Sequence, residues 1–217
     1  MIRAGEPWGG PASGPPGIEV AGTDADLAAA VHRSPGARVW FRPTRSDLAR
    51  SVGLAAGAAA PGTHEVPLDV LRAGDGVVAV NAVVLGTPPD RLGRWSRPAS
   101  FTVVVDGRTV LDARATTIVV ANGQYLRGLD VVPRGHPGDG RAEVQAYRLR
   151  GAQRKLLRGR LAAGAHLPHP DISQWSGRRI EVGVRGRPVA LELDGVAAPA
   201  VTAWSCTVEP GAVRLLV

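Results

Sequence analysis

His166 and His169, with Asp171 two residues further on, are residue types that bind zinc. Pro168 and Pro170 bracket the second histidine, so no regular element presents both rings on one face, and a plain turn is the simpler reading. A second candidate is the segment 135–140, where glycines surround one carboxylate, Asp139. Such a segment is either a polar loop or a place where backbone carbonyls and a carboxylate hold a divalent cation. Asn122-Gly123, after an apolar run, suits a tight turn as well as a site. A fourth feature is a basic block. Between residues 148 and 160 stand Arg148, Arg150, Arg154, Lys155, Arg158 and Arg160, with no acid and with Leu149, Leu156 and Leu157 interleaved, a pattern suited to an anionic partner. Walker loops, His-Glu-x-x-His runs, Ser-His-Asp order and paired cysteines are all missing from the sequence.

The 217 residues carry a formal charge of +7, and Lys155 is the one lysine among 26 basic residues. Arginine, alanine, glycine and proline are abundant together, the usage of a GC-rich genome, so the total charge says little about a partner. Its distribution says more: residues 1–120 hold 12 bases and 11 acids, whereas 121–217 hold 14 and 8. Aromatic residues are 4% of the chain and none follows Tyr147 inside the basic block, which leaves few stacking platforms for nucleic acid. A hydrophobic fraction of 44% excludes a wholly disordered chain. No apolar stretch approaches the roughly 20 residues that span a bilayer. The first 17 residues lack the apolar region of a secretory signal, and the lone Cys206 has no internal partner, so the expectation is a cytoplasmic protein.

Periodicity places these residues on elements. Residues 1–17 read as a flexible Pro/Gly-rich arm. Two strand–helix pairs follow, strands at 18–21 and 38–41 and helices at 24–32 and 44–52, which suggests a small α/β layer over 18–60. From residue 64 onward alternation with period two dominates, with Asp106-Gly107 between two alternating runs as a hairpin signal. One basic helix, 152–163, interrupts about eight strands. The expected fold class is α+β: a remnant α/β unit, then a β-sandwich over 61–217, with the last strand free to return to the first unit.

Taken in order, these pieces resemble one family over nearly all of 18–217, the diacylglycerol kinase-like bacterial lipid kinases. The family's Gly-Gly-Asp-Gly-Thr loop has its counterpart in Gly22-Thr23-Asp24-Ala25-Asp26, and its second nucleotide loop resembles the run from Pro43-Thr44 through Asp47 to Gly53. Val120-Ala121-Asn122-Gly123 is similar to a family strand end, Pro137-Gly138-Asp139-Gly140 to its metal loop, and Asp194-Gly195 to the turn that precedes its catalytic glutamate. The resemblance implies ATP bound in a cleft between two domains and Mg²⁺ assisting phosphoryl transfer to a lipid hydroxyl. Carried over by position, Gly22, Asp24, Thr44 and Asp47 fall on nucleotide-binding positions. Asp139 falls on the metal carboxylate, with the carbonyls of His136 and Arg141 beside it. The basic helix then faces an anionic membrane, peripheral to its inner face.

The departures carry equal weight. Thr23 and Ala25 stand where the family has glycines, Asp26 where it has threonine, Pro43 where it has glycine and Ser46 where it has asparagine. Val196 occupies the position of the catalytic glutamate and cannot take a proton, leaving Asp194 as the nearest carboxylate. By the resemblance the chain begins roughly at the family's third strand, and the expectation is that about 50–80 residues of the nucleotide domain are missing. The expectation is therefore a catalytically impaired pseudokinase that keeps a lipid- or membrane-binding β domain. The alternatives are an active ATP- and Mg²⁺-dependent lipid kinase, and a non-catalytic protein that pairs with a partner or with a second copy.

Overall fold

The computed structural model describes residues 8–54 and 60–217. In chain order the elements are β1 (Gly10–Pro11), β2 (Ile18–Thr23), α1 (Asp24–Arg33), β3 (Arg38–Arg45), α2 (Asp47–Ser51), β4 (His64–Ala73), β5 (Val78–Ala79) and β6 (Ala82–Gly86). A 3-10 turn at Pro89–Arg91 precedes β7 (Ala99–Val105), β8 (Arg108–Ala115), β9 (Thr117–Ala121), β10 (Tyr125–Leu126), β11 (Leu129–Asp130) and β12 (Ala142–Tyr147). The chain continues with α3 (Ala152–Leu161), β13 (Ile172–Gly177), β14 (Arg179–Arg185), β15 (Val189–Leu193), β16 (Val196–Val201) and β17 (Ala203–Leu216). The second helix is shorter than its sequence pattern suggests. β3 stays extended through Arg45, paired with β2 at Pro43 and Arg45, and Ser46 then caps the helix by accepting the Ala49 N–H.

Two sheets face each other. The larger runs β1-β4-β17-β14-β7-β8, with β3 and β2 joined in parallel through the end of β17 and β5 hanging on β4. The smaller runs β13-β12-β9-β6-β15-β16. Between them lies a core of Leu71, Phe101, Val103 and Val182 from one sheet and Val83, Val120, Val144 and Leu191 from the other. Every residue of β9 is buried, because the far face of the smaller sheet is covered in turn by Leu157 and Leu161 of α3. This two-sided burial explains why residues 117–121 read as a continuous apolar run rather than an alternating one. A third core joins Leu27, Val31 and Leu48 of α1 and α2 to Val39, Phe41, Leu68 and Leu215. That core draws on β4 and β17, so the α/β unit and the sandwich share one nine-stranded sheet across residue 60.

Two local features follow from this packing. The outer face of β2 and β3 carries Glu19, Trp40 and Arg42, with Arg42 paired to Glu19 and lying 5.3 Å over the Trp40 ring. Parallel strands usually need cover on both faces; here the uncovered face is polar. Residues 8–17, expected within a free arm, lie against the larger sheet: β1 pairs with β4, Trp8 Nε1 donates to the Pro67 carbonyl at 3.1 Å, and the Ser13 hydroxyl donates to Glu65. Residues 1–7 of that arm lie outside the described residues.

Candidate functional site: the cleft between helix and hairpin

The residues singled out in the glycine loop meet at the start of α1. Thr23 caps the helix, accepting the Asp26 N–H, while Asp26 folds back and accepts both the Thr23 N–H and the Thr23 hydroxyl at 2.8 Å. The Asp26 carboxylate also lies over Gly22, whose φ of +138° only glycine adopts readily; a Cβ there would sit 2.3 Å from Asp26 Oδ2. The backbone N–H of Thr23, and after it the Thr23 hydroxyl, hold the Asp26 carboxyl below its usual range. A helix N-terminus with glycine before it is where a phosphate binds. In this chain its own carboxylate occupies that seat.

Asp24, two residues earlier, is turned inward and buried. It accepts the Ser46 hydroxyl and the N–H groups of Asp47 (3.0 Å) and Leu48 (3.2 Å), so it ties α1 to the N-terminus of α2. Burial raises its carboxyl to about 6, against the opposing effect of these hydrogen bonds. Asp47 points the other way. Its oxygens accept the N–H groups of Arg127 and, at 2.6 Å, Gly128 in the β10–β11 turn. Arg50 reinforces the joint by donating to the Gly128 carbonyl at 2.6 Å and lying 4.2 Å over the Tyr125 ring. Thr44 is exposed on β3. Of the four expected nucleotide-binding residues, Asp24 and Asp47 are thus structural ties between elements.

Across the cleft, Asp194 and Gly195 turn the β15–β16 hairpin with φ of +48° and +84°. The Asp194 carboxylate accepts three consecutive backbone N–H groups, those of Val80 (2.7 Å), Asn81 (2.9 Å) and Ala82 (2.9 Å). Desolvation nevertheless raises it to about 7, with the charge of Asp24 adding to the rise. Val196 follows, 56% exposed. The groove beside Asp194, about 360 Å³, is lined by small apolar groups including Ala25, Ala28, Val78 and Ala197, with His32 and Arg33 from the last turn of α1. Over Val77, Leu193 and Ala198 it continues into a trough of about 750 Å³ lined by the β15–β16 hairpin and by β7, β14 and β17 of the larger sheet.

The Asp139 loop is closed on itself. Asp139 Oδ1 accepts the Arg141 N–H at 2.9 Å, and the His136 carbonyl accepts the Gly138 N–H at 2.8 Å. The Arg141 side chain reaches Ser176, and Trp8 stacks edge-on against the His136 ring at 4.8 Å. Behind the loop Asp69, buried, accepts the N–H groups of Gly140 (2.6 Å) and Gly211 (2.8 Å). A divalent cation of this kind takes six or more oxygens. Among the described residues no group of three or more His, Cys, Asp or Glu is placed to hold one, so the loop offers one carboxylate, Asp139, and backbone carbonyls. The Asp26 carboxylate, meanwhile, stands where a phosphate of ATP would need donors.

This architecture, a sandwich whose last strand returns to an α/β unit, is shared with known proteins. Residues 90–217 match the family described as the YegS C-terminal NAD kinase beta sandwich-like domain. The chain belongs to that family. No curated protein matches it in sequence. Among solved structures, a diacylglycerol kinase from Bacillus anthracis str. Sterne superposes with a TM-score of 0.74 at 17% identity, covering 92% of this chain and 75% of that one. Yeast NADH kinase complexed with NADH superposes at 0.55 with 11% identity, covering 92% and 60%. An NAD kinase from Archaeoglobus fulgidus in complex with ATP gives 0.50 and 11%, covering 92% and 77%. The diacylglycerol kinase-like fold inferred from the motifs is the fold observed.

Within this YegS-type domain the basic block divides. Arg150, Lys155, Arg158 and Arg160 are exposed, but Arg154 is buried and turned inward. Its guanidinium donates to the carbonyls of Leu149 (2.9 Å), Gly93 (3.0 Å) and Ser96 (2.8 Å), so it cannot belong to an anion-facing row as the sequence suggested. Arg148 is half-buried, donating to the Pro170 carbonyl and the Ser173 hydroxyl at 3.3 Å. His166 packs against Tyr147 and bonds the Val131 carbonyl at 3.1 Å, and His169 Nδ1 accepts the Asp171 N–H at 3.0 Å, an arrangement that serves the turn. Sequence reasoning missed Arg127, which bridges Asp90 (2.8 Å) and Glu192, and Asp69. Asp69 interrupts an apolar strand in 64–73, the one signal that it has a partner.

Proposed function

We propose that this chain is a lipid-kinase-fold protein impaired in phosphoryl transfer, which uses the sandwich and its apolar trough to hold a lipid at the inner face of a membrane. The observation that carries this reading is the Asp26 carboxylate seated on the Thr23 N–H and over Gly22. A nucleotide phosphate brought there meets a negative charge instead of a donor. Val196, where a general base is expected, adds a second obstacle. The trough of about 750 Å³ lies within the range of small-molecule sites and is mainly apolar, which suits an acyl chain better than a sugar or a base.

The deciding experiment incubates the purified protein with ATP, Mg²⁺ and diacylglycerol in mixed micelles. The expected outcome is no phosphorylated lipid above background and no calorimetric ATP binding at millimolar nucleotide, while a fluorescent diacylglycerol binds saturably. One observation favours a second reading: Asp194 is raised to about 7, near the value suited to a general base at neutral pH. Turnover that disappears in Asp194→Asn overturns the first reading in favour of that one.

A further inference from the structure

The exposed Trp95 is the least covered large apolar side chain among the described residues, at 82%. A lone exposed tryptophan is unremarkable; the way this one is held is not. Gly93 and Ser96 close a tight turn, with the Gly93 N–H donating to the Ser96 hydroxyl (3.0 Å) and the Ser96 N–H to the Gly93 carbonyl (3.2 Å), which leaves Arg94 and Trp95 at its tip. The buried Arg154 of α3 then donates to the carbonyls of Gly93, Arg94 and Ser96. A buried guanidinium is costly unless paired or fully hydrogen-bonded; this one is satisfied chiefly by fixing that turn. The turn is therefore tied directly to α3.

Charge on the turn has one sign. The segment 91–97 contains Arg91, Arg94 and Arg97 and no acid, and all three are exposed. Arg91 approaches Asp90 at 4.0 Å, whereas the Arg94 guanidinium lies 5.2 Å over the Trp95 ring. Helix α3 adds exposed Lys155, Arg158 and Arg160 and the 59% exposed Leu156, and exposed Arg150 lies just before it. Asp171, which faces α3, is engaged by the Gln153 amide at 2.7 Å. A tip of Trp and Arg tied to a helix that carries cations and a bare leucine matches the interfacial zone of a bilayer, where indole rings sit at headgroup depth and cations meet anionic lipid.

We propose that the Trp95 turn and the outer face of α3 form a docking surface for an anionic phospholipid bilayer, with Trp95 inserted and Arg154 as its positioning residue. This deepens the lipid-holding reading above but does not require the cleft to bind or turn over anything, so either can fail alone. The test is co-sedimentation of the full chain with vesicles of phosphatidylcholine containing 30% phosphatidylglycerol, against pure phosphatidylcholine and a DNA duplex. Binding is expected to the anionic vesicles only, falling as salt rises. Trp95→Ala is expected to weaken it tenfold or more, and Lys155→Ala and Arg158→Ala about fivefold each. Both helix positions are exposed, so these variants keep the fold. As an independent readout, bromine-labelled lipids quench tryptophan emission in the natural chain but not in Trp95→Ala, although four other tryptophans remain. Equal binding to neutral vesicles, unchanged binding by the Trp95 variant, or binding to DNA in place of vesicles overturns the proposal.

Discussion

Replacing Asp24 by asparagine isolates a cost that folding places on one carboxylate. In the folded chain this group is raised from 3.8 to about 6, chiefly by burial. Between those values the native protein binds a proton there that the unfolded chain has released, so stability from this site is full below pH 4 and falls as pH rises toward 6. The shift of about 2 pH units corresponds to about 3 kcal/mol, an upper bound for the loss at pH 8. Asparagine resembles the protonated acid: its oxygen can accept the Asp47 and Leu48 N–H groups, and its NH₂ can donate to the Ser46 hydroxyl oxygen. Thermal or urea unfolding of both proteins from pH 4 to 8 is the assay. The gap in stability, variant minus natural, should grow in the variant's favour by up to ~3 kcal/mol, or roughly 6–12 °C in Tm for a chain of this size. Near pH 4 that pH-dependent part vanishes. A gap that stays flat with pH, or a variant that loses stability as pH rises, refutes the burial argument.

Asp47→Ala removes two charge-assisted hydrogen bonds to the β10–β11 turn and should destabilise the chain by about 3 kcal/mol, read as a lower urea midpoint with little change in slope. Were Asp47 a nucleotide ligand with no structural role, the midpoint would not move. Burial pushes the Cys206 thiol up to about 12, so a thiol reagent at pH 8 should label the native protein only at the rate of opening and label urea-unfolded protein at once.

Much of this was legible before the structure. Asp106-Gly107 and Asp194-Gly195 both turn hairpins with positive φ, as the residue pairs require, and the alternating runs became the strands they suggested. The replacements in the glycine loop were equally readable, because losing glycine beside a phosphate has one physical meaning. Hidden were the contacts that depend on distant chain. Arg154 looks like its basic neighbours, and only the packing of 93–96 against α3 draws it inward. Asp47 suits a helix start, yet its partners lie 80 residues away in a turn that no local pattern links to it. Asp26 reads as repulsion toward a ligand, while its occupation of the vacant donors appears only once the loop is folded.

One strand governs how the molecule comes together. β17 runs 14 residues, pairs with β14, β4 and β3 in succession, and supplies Trp204, Cys206 and Val208 to one core and Val213 and Leu215 to another. Its registers with β4 and β3 join residues more than 130 positions apart, as between Glu209 and Val70. Loops of that length must close before either core is rewarded, which slows folding in proteins dominated by non-local strands. Neither the helical layer nor the sandwich can mature ahead of the other, so refolding should be slow and the two layers should acquire their protection against hydrogen exchange in the same step.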